Sequence, residues 1–190
     1  MSVLVLIASS APRSARAAVF GEFGGRDLDD AFLDPIRQSA RRGVSDTNPA
    51  WTAPGAAASQ TAVLLGLPWA TDQGLRGPDF GAWQGRMLDD VGVSEPEAMA
   101  AWARDVTAAP HGGESLAKLV TRLRDDVLLR AATSTAAART VAIAPSLVVR
   151  ALIVGALELP ESAVLRLDVE PWSVTTLTHH GGRWNLRLTA

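Results

Sequence analysis

At 190 residues and 47% hydrophobic content, the chain can bury one substantial core and is short for two, so residues 1–190 read as a single domain. Its 18 Lys and Arg and 20 Asp and Glu give a formal charge of -2 with neither sign gathered into a run, which argues against nucleic acid as a partner; no stretch approaches the ~20 apolar residues of a membrane span, so no membrane partner is expected either. The absence of cysteine removes a disulfide framework, a thiolate metal site and a cysteine nucleophile, and leaves the redox compartment open.

Val3 to Ile7 is a continuous apolar run rich in β-branched residues, the pattern of a strand covered on both faces of a mostly parallel sheet. With small Ala8, Ser9, Ser10 and Ala11 behind it, the run also has the outline of a short leader, but no basic residue precedes it. A buried, central first strand is the reading, and a cytoplasmic protein the expectation. Pro12 suits the first turn of a helix that Ala15 to Phe20 continue until Gly24-Gly25, and Ala31 to Arg42 read as a second helix closed by Gly43. Gly55 to Leu65 is Ala-rich with apolar residues at helical spacing, and Gly66 stops it.

From Pro68 to Arg86 the breakers Gly74, Gly77, Pro78, Gly81 and Gly85 predict a long loop that closes over a site. Helices are expected over Glu95 to Arg104 and Glu114 to Arg130. Thr140 to Ala144 repeats the first pattern and Ser146 to Leu157 returns as an apolar helix, a βα unit; Val174 to Leu177 and Trp184 to Leu188 form a hairpin whose turn holds His179, His180, Gly181 and Gly182. Strands alternating with helices at this spacing predict a three-layer α/β/α fold with a mostly parallel central sheet.

Several motifs stand in a fixed order. Pro54 precedes Gln60-Thr61-Ala62; Leu75 precedes Asp79-Phe80-Gly81, Trp83 and Gly85; Pro110 to Ser115 reads Pro-His-Gly-Gly-Glu-Ser; and a strand and helix follow at Thr140 to Arg150. This series resembles the histidine phosphatase (phosphoglycerate mutase-like) superfamily along almost the whole chain. The Arg16 to Phe20 spacing and the closing Trp184-Asn185-Leu186-Arg187 resemble an actinobacterial branch of it.

The resemblance implies a nucleophilic imidazole, a second His, two Arg on the phosphoryl oxygens and a carboxylic acid for the leaving oxygen. In this sequence the first Arg falls on Ala8, the nucleophilic His on Ser9 and the following Gly on Ser10. The second Arg falls on Ala57, the acid on Gly77 and the second His on Pro145. None of the five chemical positions keeps its group, and no histidine precedes His111. Removing one oxyanion donor from a closed site costs about 3 kcal/mol of transition-state stabilisation, so the absence of several together removes useful phosphoryl transfer.

The candidate lining of the emptied pocket is Ser9, Ser10, Arg16, Gln60, His111, Glu114 and Ser146, with no catalytic residue, metal or cofactor assigned. Each has a bland alternative. Ser9 and Ser10 are also simply small residues at a strand end, without a nucleophile-elbow pattern. His111 and Glu114 also suit a helix start, where a carboxylate is favourable in the first turn. Arg13, Arg16, Arg76 and Arg150 suit either a cleft mouth or the surface. Adjacent His179 and His180 lack a carboxylate partner for a metal, and Trp83 is expected to pack in the core. The first functional expectation is therefore a non-catalytic binding or regulatory protein, for a small-molecule or anionic ligand or a protein partner, with oligomeric state open. The alternatives are a hydrolase of replaced chemistry using Ser9 and His111, and a phosphatase or mutase by family resemblance alone.

Overall fold

The computed structural model describes residues 1–9, 19–21, 30–41, 48–134 and 139–188. Among the described residues six strands form one sheet in the order β3-β2-β4-β1-β5-β6: β1 (Ser2–Ala8), β2 (Ala50–Thr52), β3 (Trp69–Thr71), β4 (Arg139–Ala144), β5 (Val174–His180) and β6 (Arg183–Arg187). The pairs β1–β4, β2–β4 and β2–β3 are parallel, whereas β5 runs antiparallel to β1 and β6 antiparallel to β5. The sheet is thus mixed, parallel through its centre and closed on one side by a hairpin.

β1 is central, as its apolar run predicts. Leu4, Val5, Leu6 and Ile7 are all fully buried, and because successive strand residues point to opposite faces, both faces of the sheet are covered. This is a three-layer α/β fold. The helices are α1 (Asp30–Arg41), α2 (Ala56–Leu64), α3 (Leu88–Ser94), α4 (Pro96–Arg104), α5 (Leu116–Leu123), α6 (Leu129–Thr133) and α7 (Ser146–Ala156). In α5 the buried Leu116, Leu119, Val120 and Leu123 recur at helical spacing, and Ser115 caps its start by accepting the Lys118 N–H. A π-turn at Arg124–Leu128 then leads into α6. Apolar α7 follows β4 directly and packs on α5 and β1.

Several expectations change. The stretch from Pro68 to Arg86 is no free-standing lid: it contains β3 and two short 3-10 turns, Gln73–Leu75 and Gly81–Trp83, and buries Leu75, Phe80 and Trp83. Phe20 is not helical, because Val19 forms an antiparallel bridge with Met87 and the Phe20 N–H donates to the Arg86 carbonyl; the rest of the proposed Ala15 to Phe20 helix, with Gly24, Gly25 and Gly43, lies outside the described residues. The helix expected from Glu114 begins at Leu116. His179 and His180 belong to β5 rather than the turn, which is Gly181-Gly182 alone, both at positive φ as a two-residue hairpin of this twist requires.

Truncating the centre of β1 tests this architecture. Leu6→Ala should cost about 2–5 kcal/mol, read as a lower urea midpoint at unchanged slope, while exposed Leu188→Ala should leave the midpoint unmoved.

Candidate functional site

A cleft of about 450 Å³ opens beyond the carboxyl ends of β2 and β4, where open α/β sheets hold their ligands. Its walls come from four segments: Pro54 and the start of α2 through Ala58, Gly77-Pro78 with Phe80, Gln84 beside Gly21, and Pro145. Ala57, Gly77 and Pro145, far apart in sequence, therefore meet at one place. β1 ends next door, where the Ser9 N–H donates to the Ala144 carbonyl at 2.8 Å. Among the described residues lining the cleft none is ionisable, and Gln84 supplies the one polar side chain.

None of the described candidate residues lines this cleft. Ser9 is buried and its Oγ has no hydrogen-bond partner among the described residues, but it does not line the cleft. Gln60 is exposed on α2, although Thr61 and Ala62 of the same motif are buried. Ser146 opens α7 half-buried and outside the lining. Ser10, Arg13 and Arg16 lie outside the described residues. Arg76 is exposed, Arg150 stands 3.7 Å from Asp168, and neither lines the cleft. Of the wall residues, Phe80 was legible as part of the Asp-Phe-Gly-x-Trp motif and Pro78 as a breaker of the loop from Pro68 to Arg86, whereas no motif singled out Gln84.

His111 is a core histidine, buried against Phe80 and Trp83 with ring centroids at 5.8 and 5.1 Å. Its Nδ1 accepts the Gly113 N–H at 3.0 Å, so the neutral ring carries its proton on Nε2. Burial holds its pKa below the ordinary histidine value, against an opposing pull from Asp79. Trp83, fully buried as expected, donates its indole N–H to Glu95 at 2.9 Å; that bond and the Arg86 guanidinium keep the Glu95 carboxyl below the usual carboxylate range.

Glu114 is neither a helix cap nor a pocket residue. It forms a two-pronged pair with Arg122, at 2.7 and 2.9 Å, with both side chains mostly buried. The same guanidinium donates to the carbonyls of Gly74, Arg76 and Gly77 at 2.9, 3.1 and 3.4 Å. The Glu114 N–H donates to the Asp79 carbonyl, and Gly113 sits so close to that carbonyl that a Cβ would overlap it. These contacts fix the wall containing Gly77. Among the described residues no group of three or more His, Asp and Glu could hold a metal ion.

Two outcomes follow. Arg122→Ala should cost about 3 kcal/mol, the low end for breaking a buried pair because both side chains keep some exposure, and should speed amide exchange across residues 74–77. For His111 the folded pKa is depressed, so the unfolded chain takes up the proton first as pH falls; stability from this group is complete above about pH 6.5 and declines below it. His111→Asn, which can still accept the Gly113 N–H, should flatten that decline in denaturation midpoints measured across the range.

The profile of the histidine phosphatase superfamily (branch 1) matches residues 37–190. Glucosyl-3-phosphoglycerate phosphatase of Mycobacterium tuberculosis is 41% identical over 71 residues, 35% of this chain and 32% of that protein; the protein of the same name from Mycolicibacterium vanbaalenii is 44% identical over 62 residues, 30% and 28% of the two chains. The match thus spans about a third of the length of these curated relatives. The structure of mycobacterial glucosyl-3-phosphoglycerate phosphatase with VO3 superposes with a TM-score of 0.79 at 25% identity, over 99% of this chain and 98% of that one. The α-ribazole phosphatase of Shigella flexneri shares the fold, with a TM-score of 0.75 at 18% identity over 98% and 95% of the chains. A profile match reaching from α1 to the last residue, on a fold shared along nearly the full length, makes this chain a member of the histidine phosphatase superfamily.

Proposed function

We propose that this chain is a non-catalytic member of its family, which keeps the fold as a binding or regulatory module and has lost phosphoryl transfer. The observation that carries the reading is the cleft: Ala57, Gly77 and Pro145 meet in it, and no described residue of its lining can ionise. Among the described lining residues a phosphoryl group finds no guanidinium to neutralise it, no acid for the leaving oxygen and no imidazole to attack it. The strand end where the family's first Arg-His-Gly would fall holds Ala8, Ser9 and Ser10, and the profile match begins only after it.

The names of the relatives favour a phosphatase. Against this stands the composition of the cleft, since shared fold does not carry a shared reaction. A serine hydrolase fares no better: the Ser9 Oγ has no hydrogen-bond partner among the described residues, and His111 spends its Nδ1 lone pair on the Gly113 N–H among aromatic rings. The ligand of the module is a small molecule in this reading, with a protein partner as the other class of target.

Incubation at high protein concentration with p-nitrophenyl phosphate, fructose bisphosphate or phosphoglycerates tests the proposal. No release of phosphate above the buffer rate is expected, for the natural chain and for Ser9→Ala alike. Robust turnover that disappears in Ser9→Ala would establish a serine mechanism, and turnover surviving that substitution would restore the phosphatase reading; either result sinks the non-catalytic one.

A further inference from the structure

The two edges of the sheet are built differently. β3 has three uncharged residues, whereas β6 has five, with exposed Arg183, Asn185 and Arg187 alternating with half-buried Trp184 and Leu186. From Pro171 to Ala190 the sequence holds these two arginines and no Asp or Glu, in a chain whose net charge is -2. The register sets Arg183 across from His180, Asn185 from Thr178 and Arg187 from Thr176, so one face of the hairpin is polar and cationic; Trp184 and Leu186 share the other face with His179 and Leu177. Because His179 pairs with Ser2, the hairpin turn lies at the amino-terminal end of β1, remote from the cleft.

The backbone of this edge is as well defined as its charge. Gly181 and Gly182, at φ 59° and 80°, have the signs of a type I′ turn, in which the first residue's carbonyl accepts the fourth residue's N–H, here His180 and Arg183. Antiparallel ladders alternate such residues with others whose polar groups point away. Arg183, Asn185 and Arg187 therefore face β5, and the N–H and C=O of Trp184 and Leu186 point outward, beyond which no strand lies among the described residues. Beside Trp184, which packs on His179 at 5.0 Å, a groove of about 380 Å³ has Leu128, Leu129 and Ala132 in its walls. On its rim Arg124 and Asp125 are paired with each other at 2.9 Å, and Glu158 disfavours a carboxylate on that side.

We infer that β6 is a docking edge for an extended acidic segment of a partner protein, which adds to the sheet as a further strand. Its main chain bonds the outward groups of Trp184 and Leu186, its alternate carboxylates meet Arg183 and Arg187, and an intervening apolar side chain enters the groove beside Trp184. The arginines also say what the occupant is not. A second copy pairing along the whole of β6 about a two-fold axis at Asn185 would set each Arg183 opposite an Arg187, and like charges directly opposite are destabilising. Arginines on an edge strand also guard it against random pairing, and the experiment separates that bland role from docking. The inference stands apart from the reading of the cleft: phosphatase turnover there would leave it untouched, and its failure would leave the cleft reading untouched.

A fluorescein-labelled peptide of sequence Glu-Val-Glu-Val-Glu-Val with an amidated end probes this edge directly. Saturable binding to the intact protein is expected by fluorescence anisotropy, weakening as salt is added. Amide exchange at Trp184 and Leu186 should slow in the complex, and the same peptide N-methylated at alternate residues, which cannot complete the ladder, should not bind. Arg183→Glu combined with Arg187→Glu, both at exposed positions, should weaken binding about threefold to tenfold and transfer the preference to a Lys-Val-Lys-Val-Lys-Val peptide. Absence of saturable binding would leave the arginines as guards of the edge alone and overturn the inference. So would equal affinity for the Glu and Lys peptides, unchanged exchange at the two amides, or displacement of the peptide by a single-stranded oligonucleotide. Protection of those amides in the free protein that grows with its concentration would assign the edge to a second copy and equally defeat the acidic partner.

Discussion

The wall of the cleft depends on a single guanidinium. Arg122 reaches out of α5 into a segment whose glycines and prolines give it little reason to adopt one shape, and it converts three of that segment's carbonyls from solvent acceptors into fixed ones. Glu114 balances the charge, which lets the side chain remain mostly buried. Behind this node the Asp79 carbonyl receives the Glu114 N–H, Gly113 fits against it, and Phe80 and Trp83 are directed into the core. The position of Gly77, and with it the opening beside Ala57 and Pro145, is inherited from a helix that does not itself touch the cleft.

A second cluster, aromatic rather than ionic, completes the site. Phe20, Phe80, Trp83, Trp102 and His111 contact one another through tilted and edge-on ring pairs, the arrangements that aromatic quadrupoles favour. The neutral His111 behaves as one more ring. Its low basicity is a consequence of that burial and not the mark of an acid or base, which is why a displaced histidine pKa near a family cleft does not by itself signal catalysis.

How much of this was legible follows from where the ordering forces act. β1 and β4 are covered on both faces, so burial wrote continuous apolar runs into the sequence, and both strands were readable. β2 and β3 have three residues each, too few for any periodicity to show, and they exist because β4 offers a ladder for β2 and β2 one for β3. The order in the segment after Pro68 was hidden because its partners on Arg122 lie more than forty residues away. Within the site, the positions of Ala57, Gly77 and Pro145 could be placed from flanking motifs, whereas the roles of Glu114 and His111 could not: a local pattern does not say which side of a helix start is covered, and contacts made by Trp83 and Arg122 decided it.

The positions at which the family resemblance places its catalytic groups are spread over four separate segments: the end of β1, the first turn of α2, the turn before Phe80 and the junction between β4 and α7. If the chain is non-catalytic as proposed, this dispersal sets up an evolutionary ratchet. Restoring an arginine at Ala57 by itself would place an unmatched cation against proline, alanine and phenylalanine, and restoring a carboxylate at Gly77 would do the same with the opposite sign, so each isolated reversal is a burden before any reaction rewards it. At the β4 junction the proline ring adds backbone rigidity that an imidazole would not supply. Under that proposal, a lineage whose described cleft lining has lost its charges meets no downhill path of single changes leading back.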